Sequence, residues 1–158
     1  MPLFHIHGLI AILSSSIYAG ASVYTSVGFN ALSFLDKAKK ENISWYSGVP
    51  TMHQGILMRA KKNMEQAKNL SLRFIRSSSA SLPPAVFEEL IDVFKAPVIE
   101  AYGMTEATHQ MTSNPIPPEI QKAGFVGKPA GPDVCIMDID GNKLEFGSEG
   151  EVCIRGDN

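Results

Sequence analysis

Several things are scarce in this 158-residue chain, and each scarcity closes off a class of function. Cysteine occurs twice, as Cys135 and Cys153, each within an alternating apolar segment. Two such residues without metal-ligand spacing argue against a zinc site and against a disulfide scaffold, and they read as small buried side chains of a reducing compartment. Charge of one sign is equally scarce: Lys plus Arg number 14 and Asp plus Glu 16, for a net charge of −2. No basic field exists for nucleic acid or anionic lipid. Long apolar runs are missing as well. Leu9 to Leu13 falls far short of the roughly 20 residues that span a bilayer, and no Lys or Arg precedes it as in a secretory leader. Ala19-Gly20-Ala21 looks like a cleavage site, but His5 and His7 sit just ahead of the apolar run, so a soluble chain is expected.

What is present is an alternation of short β-branched or aromatic runs with segments of helical period. That is the form of βαβ units, so the expected fold class is α/β with a largely parallel sheet followed by a small β subdomain. Ala21 to Tyr24 reads as a strand. Asn30 is placed to cap a helix whose Ala31, Phe34, Leu35 and Ala38 share one face. Ile43 to Ser47 reads as a strand, Pro50 opens a helix through about Lys61, and Lys61 to Asn69 reads as polar connection. Leu72 to Arg76 is the next strand. Pro83 and Pro84 start a helix with Val86, Phe87, Leu90, Ile91 and Phe94 on one face, and Pro97 to Tyr102 follows as a strand. Prolines 115, 117 and 118 then mark a change of character. The expected division is 1–114 as an α/β subdomain and 115–158 as a β subdomain, in which Val134 to Met137 and Gly150 to Arg155 alternate around Asp140-Gly141, a hairpin signal.

In open α/β sheets ligands bind beyond the carboxyl ends of strands, which puts Ser77 to Ser81 and Tyr102 to Thr108 on one rim. The first offers small residues whose backbone amides a ligand can approach. The second, Glu100-Ala101-Tyr102-Gly103-Met104-Thr105-Glu106, ends a strand in an aromatic, a glycine, a hydroxyl and a carboxylate. Those groups can stack a base, approach a phosphate and hold a hydrated cation. Residue chemistry alone leaves an ordinary strand-to-helix turn, capped by Thr105, as an equal reading.

Tyr102-Gly103-Met104-Thr105-Glu106 resembles the signature of the adenylate-forming acyl-CoA synthetases, 4-coumarate-CoA ligases and luciferases. Pro2-Leu3-Phe4-His5, Val49-Pro50-Thr51, the loop at 77–82, Gly127-Lys128-Pro129 and Gly150-Glu151-Val152 follow in that superfamily's order. The resemblance implies ATP, Mg²⁺ and coenzyme A as co-substrates and a small-molecule carboxylic acid as partner. It implies that Thr105 contacts phosphate, Glu106 ligates Mg²⁺ and Tyr102 packs on adenine. Ser78, Ser79, Ala80 and Ser81, with Glu100, Ala101 and Gly103, are then the nucleotide wall, and His5 bounds the acyl channel. His7 and His53 read as packing.

Ser77-Ser78-Ser79-Ala80-Ser81 and Ala107-Thr108-His109 most resemble the oxalyl-CoA synthetase branch. If Thr105 begins a helical turn, His109 shares its face, and Ser79 with His109 become the polar contacts of a small diacid. A 4-coumarate or medium-chain ligase is the alternative substrate reading. Neither the superfamily's Gly-rich phosphate loop nor its C-terminal catalytic lysine occurs in the sequence. The expectation is therefore a fragment inactive alone, with a non-catalytic remnant as the other outcome. Unpaired sheet edges are expected to promote self-association. Cytoplasm or peroxisome is the expected compartment, without a visible signal.

Overall fold

The computed structural model describes residues 1–157. A π-helical stretch, His7–Ser14, runs directly into α1, Ser15–Tyr18. There follow α2 (Ala31–Lys40), β1 (Trp45–Gly48), α3 (Pro50–Lys61), α4 (Met64–Lys68), β2 (Phe74–Ser77), α5 (Pro84–Phe94) and β3 (Val98–Tyr102). A 3₁₀ turn at Thr105–Ala107 precedes β4 (Thr112–Ser113), β5 (Lys128–Pro129), β6 (Asp133–Met137) and β7 (Glu151–Arg155).

The helix starts follow from local chemistry. Asn30 Oδ1 accepts from the Leu32 and Ser33 amides at 2.9 and 3.3 Å, satisfying two of the donors that α2 leaves free. Pro50 and Pro84 occupy first-turn positions of α3 and α5, where no amide donor is needed. Lys95 ends α5 in the left-handed region, φ 53°, with its amide bonded to Ile91 O.

The main sheet has the order β1-β2-β3-β4-β5. β1, β2 and β3 pair in parallel, Ser47 opposite Arg76 and Ser77 opposite Glu100, while β4 and β5 add antiparallel to β3. One apolar core lies under it, built from Leu35, Ile56, Leu57, Ile75, Leu90, Phe94 and Val98. β6 and β7 form a separate two-stranded antiparallel ribbon. β5, at residues 128–129, is recruited into the first sheet although it lies beyond Pro115.

Two expectations need correction. Ala21 to Tyr24 is irregular, because a strand exists only through a partner and none of the described strands pairs with it. The stretch 61–69 holds α4, whose fully buried Ala67 packs on the core; one helical turn is too short to show a period. The two strands expected around Asp140-Gly141 do pair, as β6 with β7, while the turn itself is closed locally, Asp138 N–H donating to Asn142 O at 3.0 Å.

Candidate active site at the carboxyl ends of the parallel strands

β1, β2 and β3 point their carboxyl ends at one rim, and the chain's polar side chains collect there. Ser47 comes from β1, Arg76 from β2, Ser79 from the loop after it, His7 from the π-helical stretch and His109 from the loop after the 3₁₀ turn. His7, Ser47, Arg76 and His109 are all buried. His7 Nδ1 lies 2.9 Å from Ser79 Oγ, and His7 Nε2 lies 2.6 Å from Ser47 Oγ. Arg76 Nη1 faces His7 Nε2 at 3.3 Å and donates to Ser47 Oγ at 3.4 Å, while Nη2 donates to Gln110 Oε1 at 3.2 Å. The His7 and His109 rings meet edge to face, centroids 5.1 Å apart.

These contacts fix protonation. Burial, then the Arg76 charge, hold His7 down to about 3, and the same two causes hold His109 down to about 4, so both rings are neutral at pH 7. Burial lowers Arg76 to about 10, which leaves it charged. A guanidinium has only donors, so the His7 nitrogen facing it must be the bare acceptor. The His7 proton then sits on Nδ1 and is donated to Ser79 Oγ. That leaves the Ser79 hydroxyl hydrogen available to a ligand. Among the described ion pairs none involves Arg76, so its buried charge is balanced by hydrogen-bonding oxygens and no carboxylate.

A cavity of about 210 Å³ opens beside this cluster, lined by His5, Ser79, Gly103, Thr105, Glu106 and His109. A larger one of about 520 Å³ lies behind it, walled in part by Ile10, Trp45, Phe74, Arg76 and His109. His109 borders both. Its buried Nδ1 has no protein partner. Ser79, Thr108 and His109 all have positive φ, 72°, 49° and 81°, a strained conformation that clusters where function requires it.

The structure thus brings His5, Ser79, Gly103, Thr105, Glu106 and His109 around one space. Ser78, Ala80, Ser81, Glu100, Ala101 and Tyr102 lie outside its lining. Ser78 Oγ donates to Ala101 O at 2.8 Å, tying the loop to β3. The Glu100 carboxylate, its pKa raised by burial, accepts from the Gly124 amide at 2.8 Å. Tyr102 is exposed at the rim.

The route to His109 differs from the helical one expected. The 3₁₀ turn ends at Ala107, and positive φ at residues 108 and 109 carries the imidazole to the cavity. Gly103 has a different reason too: a Cβ there would lie 1.2 Å from His109 O, so the glycine admits this returning loop. His7, expected only to pack, is the hub of the polar cluster. Arg76 was missed, although a charge following Phe74 and Ile75 on a parallel strand, just before a serine run, is a readable signal. His53 packs as expected, fully buried, with Nδ1 3.3 Å from the Tyr46 hydroxyl and its pKa lowered to about 4 by burial.

Residues 1–158 match the family model described as AMP-binding enzyme. The chain belongs to the AMP-binding enzyme family. Over 161 aligned positions it is 50% identical to the oxalate–CoA ligase of Arabidopsis thaliana, covering 100% of this chain and 31% of that protein. To the oxalate–CoA ligase of Saccharomyces cerevisiae it is 48% identical, covering 100% and 28%. ATP-bound MatB from Rhodopseudomonas palustris matches with a TM-score of 0.88 at 28% identity, over 99% of this chain and 30% of that one. This AMP-binding chain therefore spans about a third of the length of the relatives it matches.

Its residues suit the groups that the family implies. Glu106 is an exposed carboxylate beside the Thr105 hydroxyl, and no group of three or more His, Cys, Asp or Glu among the described residues holds a metal alone. One carboxylate, with phosphate oxygens and water completing the shell, is how Mg²⁺ is usually held. Among the described residues no helix is long and apolar enough to cross a membrane.

Proposed function

We propose that this chain supplies the acid pocket and part of the nucleotide wall of an ATP-dependent acid–CoA ligase acting on oxalate. The observation that carries it is the polar end of the 210 Å³ cavity: Ser79 and His109 meet there, backed by neutral His7 and charged, acid-free Arg76. A cavity walled this way is too polar for an aromatic or fatty tail and suits a short dianion. The Ser79 hydroxyl donates to one carboxylate, and His109, neutral, lines the same space beside it. Arg76 does not line this cavity. It is a positioning residue that fixes the His7 tautomer and adds positive potential in a poorly screened site.

The other carboxylate of the acid faces Thr105 and Glu106. In the proposed reaction one of its oxygens attacks the α-phosphorus of ATP, pyrophosphate leaves, and an acyl-adenylate results. The sulfur of coenzyme A then attacks the acyl carbon, losing its proton, and AMP departs with the electron pair. Phosphoryl chemistry of this kind depends on positioning and charge neutralisation. Thr105 donates to a phosphate oxygen, Glu106 holds Mg²⁺, Tyr102 packs on adenine, and the backbone at Ser78 to Ser81 faces the other side. Magnesium would neutralise phosphate charge there. His5, exposed at the mouth, bounds the acid channel.

The cytoplasm or peroxisome is the compartment this reading favours. β1 and β5 are open edges of the main sheet, which supports self-association; light scattering that shows a monodisperse monomer refutes that part.

Calorimetric titration of the chain with ATP·Mg²⁺ and, separately, oxalate, 4-coumarate and octanoate tests the proposal. Oxalate should bind in preference to the other two, and Glu106→Gln should weaken ATP·Mg²⁺ about tenfold or more. Preference for 4-coumarate or octanoate overturns the oxalate assignment. Nucleotide binding that is absent or insensitive to Glu106→Gln points instead to a non-catalytic remnant.

A further inference from the structure

The two cysteines, 18 residues apart in sequence, stand opposite each other in the β6–β7 ribbon, Cys135 paired with Cys153. Which kind of pair they form follows from bonds on the other side of β6. Asp138 N–H donates to Asn142 O at 3.0 Å and Leu144 N–H to Ile136 O at 2.8 Å. Residues 136 and 138 therefore turn their backbone groups toward 142–144. Backbone groups of successive strand residues face opposite edges, so residues 133, 135 and 137 turn theirs toward β7. Cys135 and Cys153 are then a hydrogen-bonded pair, with Cα atoms about 5.5 Å apart. A disulfide needs about 4.4–6.8 Å, most often 5.5–6 Å.

The side chains are also on one face. Asp133 and Arg155, the next pair on that face, touch across the ribbon at 2.9 Å, so facing groups reach each other there. Opposed Cβ atoms lie about 4.5–5.5 Å apart, against about 3.5–4.5 Å in a disulfide. Closure must tighten the ribbon, and a bond strained in this way is easily reduced, as reversible disulfides are. Both residues are half-exposed, not buried as their sequence context implied.

We propose that Cys135 and Cys153 are a reversible modification site that accepts small disulfide oxidants, such as glutathione disulfide, and closes as a cross-strand disulfide. Burial and the neighbouring Glu151 carboxylate raise the Cys153 pKa, and in the proposed exchange Cys135 is the opening thiol. Its thiolate attacks one sulfur of glutathione disulfide, breaking that bond and releasing one glutathione thiolate, which takes up a proton. Cys153 then gives its proton to solvent and attacks the Cys135 sulfur, expelling the second glutathione. Two electrons pass from the protein to glutathione disulfide, and two glutathiones leave. The ribbon is where such a staple has effect, since two strands alone are marginally stable.

The test is incubation of the chain with excess glutathione disulfide, acid quench, alkylation and intact mass. The expected product is a monomer lighter by two hydrogens, with peptide mapping that links Cys135 to Cys153 and dithiothreitol restoring the starting mass. Amide exchange in β6 and β7 should slow by about tenfold while β2 and β3 stay unchanged. Cys135→Ser and Cys153→Ser should each stop at one glutathione adduct. Two adducts on the unaltered chain, a cross-linked dimer alone, or two alkylatable thiols at equilibrium each overturn the proposal.

Discussion

The apolar core under the main sheet and the polar cluster at its carboxyl edge are buried to similar degrees, yet their energetics differ. Leu90, Ile75 and Val98 are fully buried carbon and gain from leaving water. His7, Ser47, Arg76 and His109 give up hydration for hydrogen bonds that only partly repay it. One ring nitrogen is left without a protein partner. The core specifies the fold, whereas the cluster holds charges and donors in a fixed pattern that a ligand can complete. Stability and binding should therefore respond in opposite ways to changes in the two regions.

The largest effect expected is on the core. Leu90→Ala should lower stability by about 2–5 kcal/mol, read from denaturant unfolding, because α5 cannot collapse onto the gap. A loss below that range would mean that α5 is not seated as described.

Next is Arg76→Met. Removing a buried charge that no carboxylate balances should leave stability unchanged or slightly raised, while oxalate binding falls about tenfold, about 1.4 kcal/mol, by calorimetry. Equal losses in both would erase the distinction between the regions. His109→Ala should join the 210 and 520 Å³ cavities. Oxalate binding should weaken and that of a larger acid, such as 4-coumarate, should appear; unchanged selectivity would show that His109 is no partition.

A smaller effect concerns pH. His7 and His109 have folded values near 3 and 4, below the ordinary value of 6.5. The unfolded chain then binds more protons between those limits. Their contribution is full above about pH 6.5, declines as pH falls, and levels off below the folded values. Thermal midpoints should drop from pH 7 to 4, and His109→Asn should flatten the decline. An unflattened profile would assign it to other groups. Smallest of all, Arg155→Ala breaks an exposed ion pair with Asp133 and should leave the unfolding midpoint within error. A measurable loss would mean that the ribbon carries more of the stability than its two strands imply.

Much of the fold could be read from the chain because its signals are local. Asn30, Pro50 and Pro84 mark helix starts by what they do to the first few amides, and the apolar stripe of α5 repeats over three turns. The strand at 21–24 could not be judged, since strands depend on distant partners. In the site, the Thr105–Glu106 motif was legible because its residues are contiguous. His7 and Arg76, 69 residues apart, were not, since only folding makes them neighbours.

The sequence by itself determined the order of motifs that places this chain in its family, the starts of α2, α3 and α5, and a near-even balance of charge. Tertiary structure decided which histidines are buried, which nitrogen of His7 carries the proton, and that Cys135 faces Cys153. The physical reason is the same in each case. Capping and periodicity act within a few residues, whereas burial, tautomer and cross-strand pairing are set by atoms that meet only once the sheet has formed.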